Sequence, residues 1–190
     1  EQEPKLAHAI NAQAPSIMAE IAQKQDAYFI HYSTDYVFNG SQNKPYSETD
    51  TIAPMSVYGQ TKADGEQAII HSGCRYAILR TAWVYAATGH NFVQTMVKLM
   101  GDKETINVVS DQIGCPTWAR TLADATMCIM KAQDKSSALF HVSSTGEISW
   151  HGLATAIWQH LKQRHPAYVK TKAIIPITTE DYPTPAQRPK

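Results

Sequence analysis

Short apolar runs alternate with helix-compatible segments along almost the whole 190-residue chain. The apolar runs have the length and the Ile, Val, Leu and aromatic content of buried strands, and the segments between them are long enough for helices. Strands and helices in alternation predict βαβ units, and therefore an α/β fold with a doubly wound parallel sheet covered on both faces. The predicted strands are residues 27–32, 75–81, 106–109, 139–142 and 172–177, and the predicted helices are residues 4–24, 58–71, 91–100, 119–131 and 149–162.

Proline, glycine and serine positions indicate where the predicted helices bend, stop and begin. Pro15 lies inside the first helix and predicts a break or kink, because proline lacks the N–H that a helix interior needs. Gly73 and Gly101 each follow a helical segment and are predicted to end it. Ser149 carries a hydroxyl suited to cap the last helix. Residues 183–189 are predicted to form a loose tail.

Charge and cysteine content exclude several classes of partner. The 17 Lys and Arg residues balance 17 Asp and Glu residues, and the basic residues form no run, so no nucleic-acid partner is expected. No apolar stretch approaches the roughly 20 residues of a membrane helix, so no membrane partner is expected. Three widely spaced cysteines, Cys74, Cys115 and Cys128, favour reduced thiols in a cytoplasmic protein. No His, Cys or carboxylate spacing predicts a metal site.

A tyrosine and a lysine four residues apart are the strongest candidates for a catalytic pair. Tyr58 and Lys62 lie in the predicted helix 58–71, where positions i and i+4 share a face. The Lys62 ammonium is therefore expected to lower the pKa of the Tyr58 phenol from about 10, so that the phenol acts as an acid near neutral pH. Thr34 follows a predicted strand and adds a hydroxyl to the same candidate site.

A second pair with the same spacing, Tyr168 and Lys172, is predicted to be structural. It lies between Pro166 and Pro176 and runs into a strand-like segment. In a strand, residues four apart are too distant to act together.

Longer motifs surround the candidate site and are typical, in combination, of one known family. They are STDYVFNG at residues 33–40, VYGQTK at 57–62, RTAWVY at 80–85 and DQIGCPT at 111–117. With these motifs the chain resembles the dTDP-4-dehydrorhamnose reductases, a family of extended short-chain dehydrogenases, over nearly its whole length. Ala86 and Trp118 depart from the residues usual there. The resemblance implies a partial Rossmann-like sheet and a smaller C-terminal substrate-binding region.

The resemblance also implies a domain division, a reaction and residue roles. Residues 1–85 would be the C-terminal part of the dinucleotide-binding domain, and residues 86–190 the substrate-binding region, with elements that return to the sheet. NADPH or NADH would reduce the 4-keto group of dTDP-4-dehydro-L-rhamnose to dTDP-L-rhamnose, a precursor of cell-surface polysaccharide. Thr34, Tyr58 and Lys62 would be catalytic, and Tyr58 and Lys62 would also bind the cofactor. The substrate would be bound by Thr34, Asp35, Tyr36 and Trp83.

One element of such a fold is missing from the sequence. Dinucleotide phosphates bind a Gly-rich turn after the first strand, and this chain has no G-x-G-x-x-G pattern. We therefore expect a fragment that lacks this N-terminal turn, is truncated at its C-terminus, and is inactive by itself. Some relatives form homodimers with magnesium, and a homodimer is an assembly that the resemblance allows here. No carboxylate cluster matches such a magnesium site.

Other functions stay open on the sequence alone. The regulatory subunit of methionine adenosyltransferase resembles the same family and acts as a binding partner, but it generally lacks a Trp at the place of Trp83, so Trp83 favours an enzyme. Other sugar-nucleotide epimerases and reductases share the Tyr-Lys pair. Dehydratases place Glu where this chain has Tyr36, so reduction is favoured over dehydration. Asn11 resembles a fourth catalytic or structural member of the site, and a surface role is equally compatible with its position.

Overall fold

The computed structural model describes residues 1–182, and this part of the chain contains six α-helices and nine strands. A π-helical turn, Ala9–Gln13, joins the first two helices, and a 3-10 turn, Asp35–Val37, follows the first strand. In chain order the elements are α1 (Pro4–His8), α2 (Ala14–Lys24), β1 (Tyr28–Thr34), α3 (Val57–His71), β2 (Arg75–Thr81), β3 (Val84–Tyr85), α4 (Phe92–Asp102), β4 (Thr105–Val109), β5 (Ile113–Gly114), β6 (Thr117–Trp118), α5 (Ala119–Lys131), β7 (Ala138–His141), β8 (Ile148–Ser149), α6 (Trp150–Arg164) and β9 (Ala173–Ile177).

The chain divides into two compact units. The first unit contains Glu1–Ala82 and Leu122–Val142. The second contains Trp83–Thr121 and, within the described residues, 143–182. Thr34, Tyr58 and Lys62 belong to the first unit, whereas Trp83 belongs to the second.

The first unit has a three-stranded parallel sheet in the order β1-β2-β7. Its central strand, β2, has four consecutive buried residues, Ala77 to Arg80, as expected where helices or loops cover both faces of a sheet. The register places Thr34 opposite Thr81 at the carboxyl end of the pair. These parallel strands and their connecting helix confirm the predicted α/β class.

The core of the first unit joins α2 and α3 to the sheet. Its buried residues are Ala19 and Ala22 on α2, Ile69 on α3, and Cys74 and Ile78 at or within β2. Small residues on α2 allow the helices to approach closely, and Ile69 and Ile78 are fully excluded from solvent. Ile69 therefore holds the C-terminal half of helix α3, the helix that carries Tyr58 and Lys62, in the core formed with α2 and the sheet.

The second unit contains three two-stranded pairs. Strands β4 and β9 pair in parallel, as do β3 and β6, and β5 pairs with β8 in antiparallel fashion. Its core is formed by side chains from α4, β4 and α6: Met96, Met100, Ile106, Val108 and Ala154.

Several predicted elements have the observed bounds and others differ. Residues 75–81 and 119–131 form β2 and α5 as predicted. Strand β1 ends at Thr34, two residues beyond the predicted end, because it follows β2 up to the pair Thr34 and Thr81. Ser149 caps α6 as predicted, accepting a hydrogen bond from the Gly152 N–H at 2.9 Å.

Pro15 does not break the first helical segment. The chain widens into the π-helical turn just before Pro15, which then occupies the first turn of α2, where its missing N–H is tolerated. The carbonyl of Asn11, four residues earlier, can receive no bond from Pro15 and lies against Gly65 of α3. The π turn therefore places a backbone carbonyl in direct contact with the neighbouring helix.

Gly101 does not end its helix, contrary to the prediction. Helix α4 continues through Gly101 to Asp102. The ring of Tyr168 occupies the space beside Gly101, since a Cβ there would lie 2.7 Å from the ring carbon Cζ. The Tyr168 hydroxyl donates to the Val97 carbonyl at 3.2 Å, which confirms a structural role for the second tyrosine of the Tyr-x-x-x-Lys pattern.

Within this described part, each helix is too short or insufficiently apolar to cross a membrane. The tail predicted for residues 183–189 lies outside the described residues.

Replacement of Gly65 by Ala should lower the free energy of unfolding by about 2 kcal/mol, although Ala is the better helix former. The added Cβ would overlap the carbonyl oxygen of Asn11, and neither backbone can move without shifting a packed helix. Urea denaturation of both proteins would measure the difference. Gln67→Ala is the matched control, because Gln67 is exposed on the same helix; its unfolding free energy should stay close to the wild-type value. Equal stability of Gly65→Ala and wild type would contradict the close contact.

Candidate active site

Thr34 ends β1 and begins the 3-10 turn that follows. Its hydroxyl accepts the Tyr36 N–H at 3.2 Å and so caps this turn, and it donates to the Asp35 carboxylate at 3.1 Å. The side chain is only 5% exposed. A buried hydroxyl with several hydrogen-bond partners has one orientation, so Thr34 presents its oxygen in a defined direction.

Tyr58 lies in the first turn of α3, beside Thr34. Ser56 caps this helix by accepting the Gly59 N–H at 3.0 Å. The Tyr58 phenol lies beside the Thr34 hydroxyl, which acts to lower the pKa of the phenol. The Tyr36 ring meets the Tyr58 ring edge to face, with centroids 5.6 Å apart. The structure thus brings Thr34, Tyr36 and Tyr58 together, while Tyr58 remains 43% exposed to solvent.

Lys62 lies one turn after Tyr58 and points to β1. Its Nζ donates to the Tyr32 carbonyl at 2.6 Å and lies 3.1 Å from the His31 Nε2. Burial and the Lys62 charge lower the pKa of His31 to about 4, so the imidazole is neutral at physiological pH and accepts this bond. Burial also lowers the pKa of Lys62, and the charge of Glu66 opposes that change.

The pKa of Tyr58 shifts in the direction opposite to the prediction. Burial raises it above its usual value of 10.0, the negative charge of Asp35 raises it further, and the hydrogen bond from Thr34 offsets part of the rise. The reason lies in the position of Lys62, whose ammonium is bonded to β1 through Tyr32 and His31. In this arrangement Tyr58 is a protonated phenol at neutral pH.

Asp35 is a carboxyl group in an unfavourable environment. Burial raises its pKa to about 6, although hydrogen bonds from Thr34 and from backbone N–H groups oppose the change. Its charge is therefore sensitive to pH in the neutral to mildly acidic range, beside both Thr34 and Tyr58.

Asn11 supports the helix that carries the candidate pair. Its side-chain N–H donates to the Thr61 hydroxyl at 3.1 Å, and that hydroxyl donates to the Tyr58 carbonyl at 3.1 Å. This chain of bonds joins the π-helical turn to the first turns of α3. The contacts observed for Asn11 are structural ones.

Trp83 lies in the second unit, and its contact with a sugar remains a prediction. Its backbone has φ of 49°, an uncommon conformation for a non-glycine residue. Its ring stacks on the Trp150 ring with centroids 3.4 Å apart, and Gly114 lies against its edge, where a Cβ would come within 2.6 Å. Trp83 is therefore held rigidly by its own unit.

Sequence reasoning missed the buried ion pair beneath the candidate pair. Glu66, one turn beyond Lys62, is 0% exposed and forms a bidentate bond with Arg80 of β2. The signal available in the sequence was the spacing of Tyr58, Lys62 and Glu66, which puts a carboxylate on the same helix face. Among the described residues no group of three potential ligands is arranged to hold a metal ion.

Replacement of Asp35 by Asn should stabilise the protein at pH 8 and leave its stability unchanged near pH 4. The folded state holds the Asp35 proton up to a pKa of about 6, whereas an unfolded chain releases it near 3.9. Stability is therefore lost as pH rises through this window, and Asn avoids the loss while keeping an oxygen for Thr34. The unfolding free energy of Asp35→Asn should exceed that of wild type by about 1 to 3 kcal/mol at pH 8. Urea denaturation between pH 4 and pH 8 measures this difference.

Asp50→Asn is the control with the opposite sign. Hydrogen bonds from Ser47 lower the pKa of Asp50, so this variant should lose stability above pH 4. An effect of Asp35→Asn that does not vary with pH would contradict the assigned environment.

Comparison with known proteins identifies the family. The model of the RmlD substrate binding domain family matches residues 1–190. The dTDP-4-dehydrorhamnose reductase of Burkholderia thailandensis is 39% identical over 199 residues, covering 100% of this chain and 66% of that protein. The enzyme of the same description from Salmonella typhimurium is 38% identical, covering 100% of this chain and 64% of that protein. The chain thus spans a little under two thirds of the length of these relatives.

Solved structures show the same fold over the whole chain. A dTDP-4-dehydrorhamnose reductase from Clostridium acetobutylicum has a TM-score of 0.91 at 37% identity, covering 100% of this chain and 64% of that one. A Bacillus anthracis enzyme of that description, in complex with NADP, has a TM-score of 0.89 at 36% identity with the same coverage. These similarities confirm the predicted Rossmann-like α/β fold. The chain belongs to the RmlD substrate binding domain family.

Proposed function

We propose that the full-length protein is an NAD(P)H-dependent reductase that converts dTDP-4-dehydro-L-rhamnose to dTDP-L-rhamnose. The observation that carries the proposal is the placement of two hydroxyl groups, those of Thr34 and Tyr58, side by side, with Lys62 on the next turn of the helix that carries Tyr58. The relatives described as dTDP-4-dehydrorhamnose reductases support the choice of substrate.

Tyr58 is suited to protonate the oxygen of a carbonyl that is being reduced. A reduced nicotinamide, when bound, would supply hydride to the keto carbon, and negative charge would develop on the keto oxygen. Because its pKa is raised, the Tyr58 phenol holds its proton at neutral pH and can give it to an alkoxide, which is far more basic. Turning the Thr34 hydroxyl proton from the Asp35 carboxylate to the phenolate would stabilise the phenolate that remains.

Thr34 and Asp35 are suited to orient the carbonyl and the sugar. The Thr34 hydroxyl is fixed by the Tyr36 N–H and reaches the same point as the Tyr58 phenol. A keto oxygen bound at that point would meet two hydroxyl groups, an arrangement that stabilises developing negative charge. Asp35 is hydrogen-bonded to Thr34 and would accept bonds from sugar hydroxyls.

Lys62 is suited to bind the ribose of the nicotinamide cofactor. An ammonium has three donors, and two of those of Lys62 are directed at the Tyr32 carbonyl and at His31. The third would bind a ribose hydroxyl. The NADP complex of the Bacillus anthracis relative supports a nicotinamide dinucleotide as cofactor.

The unpaired thiols of Cys74, Cys115 and Cys128 support a cytoplasmic location for the proposed enzyme.

Replacement of Tyr58 by Phe in the full-length protein should lower kcat by about 100-fold to 10,000-fold, the usual contribution of a positioned proton donor. Loss of absorbance at the nicotinamide band, with dTDP-4-dehydro-L-rhamnose and NADPH, measures turnover. Tyr168→Phe is the matched control, because Tyr168 belongs to the second Tyr-x-x-x-Lys pattern and binds only the Val97 carbonyl. Its kcat should stay within twofold of wild type.

Three results would count against the proposal. Absence of any NADPH oxidation by the wild-type protein would exclude the reductase activity. Capture of an adenosyltransferase by the same inactive protein would favour a regulatory binding subunit. Equal loss of turnover in Tyr58→Phe and Tyr168→Phe would show that the phenol of Tyr58 has no special role.

A further inference from the structure

A buried carboxylate lies directly beneath the candidate catalytic pair. Glu66 is 0% exposed and Arg80 is 6% exposed. Arg80 donates to Glu66 through Nε, at 2.9 Å and 3.2 Å to the two oxygens, and through Nη2 at 2.6 Å. The Ser33 hydroxyl also donates to Glu66. Both oxygens of the Glu66 carboxylate therefore accept hydrogen bonds from protein donors.

The partners of Glu66 come from the two strands that α3 covers. Ser33 immediately precedes Thr34 on β1, and Arg80 immediately precedes Thr81 on β2. Glu66 itself follows Tyr58 and Lys62 at successive four-residue intervals on α3. One carboxylate thus joins the helix that carries the phenol to the strand end that carries the partner hydroxyl.

The Arg80 guanidinium also has contacts on the side away from Glu66. Its guanidinium lies 5.1 Å from the centre of the Phe38 ring, and its Nη1 lies 3.5 Å from the His141 Nε2. The His141 Nδ1 lies 3.2 Å from the Tyr46 carbonyl, and burial lowers the pKa of His141. A neutral imidazole with its proton on Nδ1 satisfies both contacts, donating to Tyr46 and accepting from Arg80. Arg80 is accordingly fixed on both sides.

A gain in folding stability does not by itself explain the buried pair of Glu66 and Arg80. Burying two charges costs about as much as their attraction returns, and apolar residues of similar size are often as stabilising. A bidentate ion pair also fixes the relative position of the helix and the strand. The planar guanidinium donates its hydrogen bonds to a carboxylate in one plane and at one distance. A hydrophobic pair would allow α3 to slide along the sheet by fractions of an ångström.

We propose that Glu66 is a positioning residue that, through Ser33 and Arg80, sets the position of the Tyr58 phenol beside the Thr34 hydroxyl. The kinetic part of this inference rests on the proposed reductase activity, whereas the geometric part does not. Small displacements of a catalytic group lower the rate of the chemical step more than they lower substrate affinity. Loss of the hydrogen bonds between Glu66, Ser33 and Arg80 should therefore reduce kcat and leave KM for the sugar nucleotide nearly unchanged.

The decisive variant removes both charges together. Glu66→Gln alone would leave Arg80 buried without a counter-charge and would endanger folding. In full-length protein, the double variant Glu66→Met and Arg80→Met keeps the volume apolar and should remain folded. We expect its kcat to fall at least tenfold, with KM within twofold of wild type. A folded double variant with wild-type kcat would overturn the proposal.

A milder variant, Ser33→Ala, tests the connection between Glu66 and the end of β1. It removes one hydroxyl from the carboxylate, leaves the ion pair in place and is expected to fold. We expect kcat to fall threefold to tenfold in the wild-type background and to change less than twofold when Ser33→Ala is added to the double variant, because Glu66 is already absent there. Equal losses in both backgrounds would show that Ser33 acts independently of Glu66, against the proposal.

Arg75→Met is the matched control for both variants. Arg75 lies on the same strand as Arg80 and pairs with Asp26 at 2.9 Å, but the two side chains are 45% and 91% exposed. Loss of this surface pair should leave kcat within twofold of wild type. A tenfold loss in Arg75→Met would indicate a general weakening of the sheet and would overturn the specific role of Glu66.

Crystal structures of full-length wild type and Ser33→Ala separate this inference from the proposed function. The distance between the Thr34 and Tyr58 hydroxyl oxygens should be longer in the variant than in wild type. If wild type reduces no sugar nucleotide, the proposed function fails and this distance alone decides the inference. An unchanged distance in the variant would overturn it.

Discussion

The close approach of α3 to the end of β1 is the contact on which the candidate site depends. Gly59 permits it, since a Cβ there would overlap the Tyr36 carbonyl in the turn that follows β1. With the backbones this close, the phenol of the first helical turn lies beside the hydroxyl at the strand end. A larger side chain at this position would separate the two hydroxyl groups although it touches neither of them.

Electrostatics in the site follow from what each charged group is bonded to, more than from spacing along the helix. Lys62 shares a face with Tyr58, yet its ammonium is held by the Tyr32 carbonyl and His31, and the phenol keeps a raised pKa. A protonated phenol serves a reductase, which must deliver a proton, whereas an oxidation needs the phenolate.

Local patterns in the sequence predicted the elements of the fold well, and contacts between distant residues account for the errors. The run from Arg75 to Thr81 was recognisable because its central residues are continuously apolar up to Arg80. Gly101 was read as a helix end because nothing in the sequence shows that Tyr168 lies beside it. The contact of the π-helical turn with Gly65 likewise joins residues about 50 positions apart, which local patterns do not show.

The two Tyr-x-x-x-Lys patterns show why a spacing becomes a site only in its structural context. Tyr58 begins a helix that is capped, buried on one face and aimed at a strand end, so its phenol meets Thr34. Tyr168 lies in a turn, and its hydroxyl donates a hydrogen bond to the Val97 carbonyl. The sequence separates the two through neighbouring prolines, but it cannot show the Glu66 and Arg80 pair that holds α3 in register with the sheet. The proposed geometry of the candidate site therefore depends on buried charges that a motif of three residues does not include.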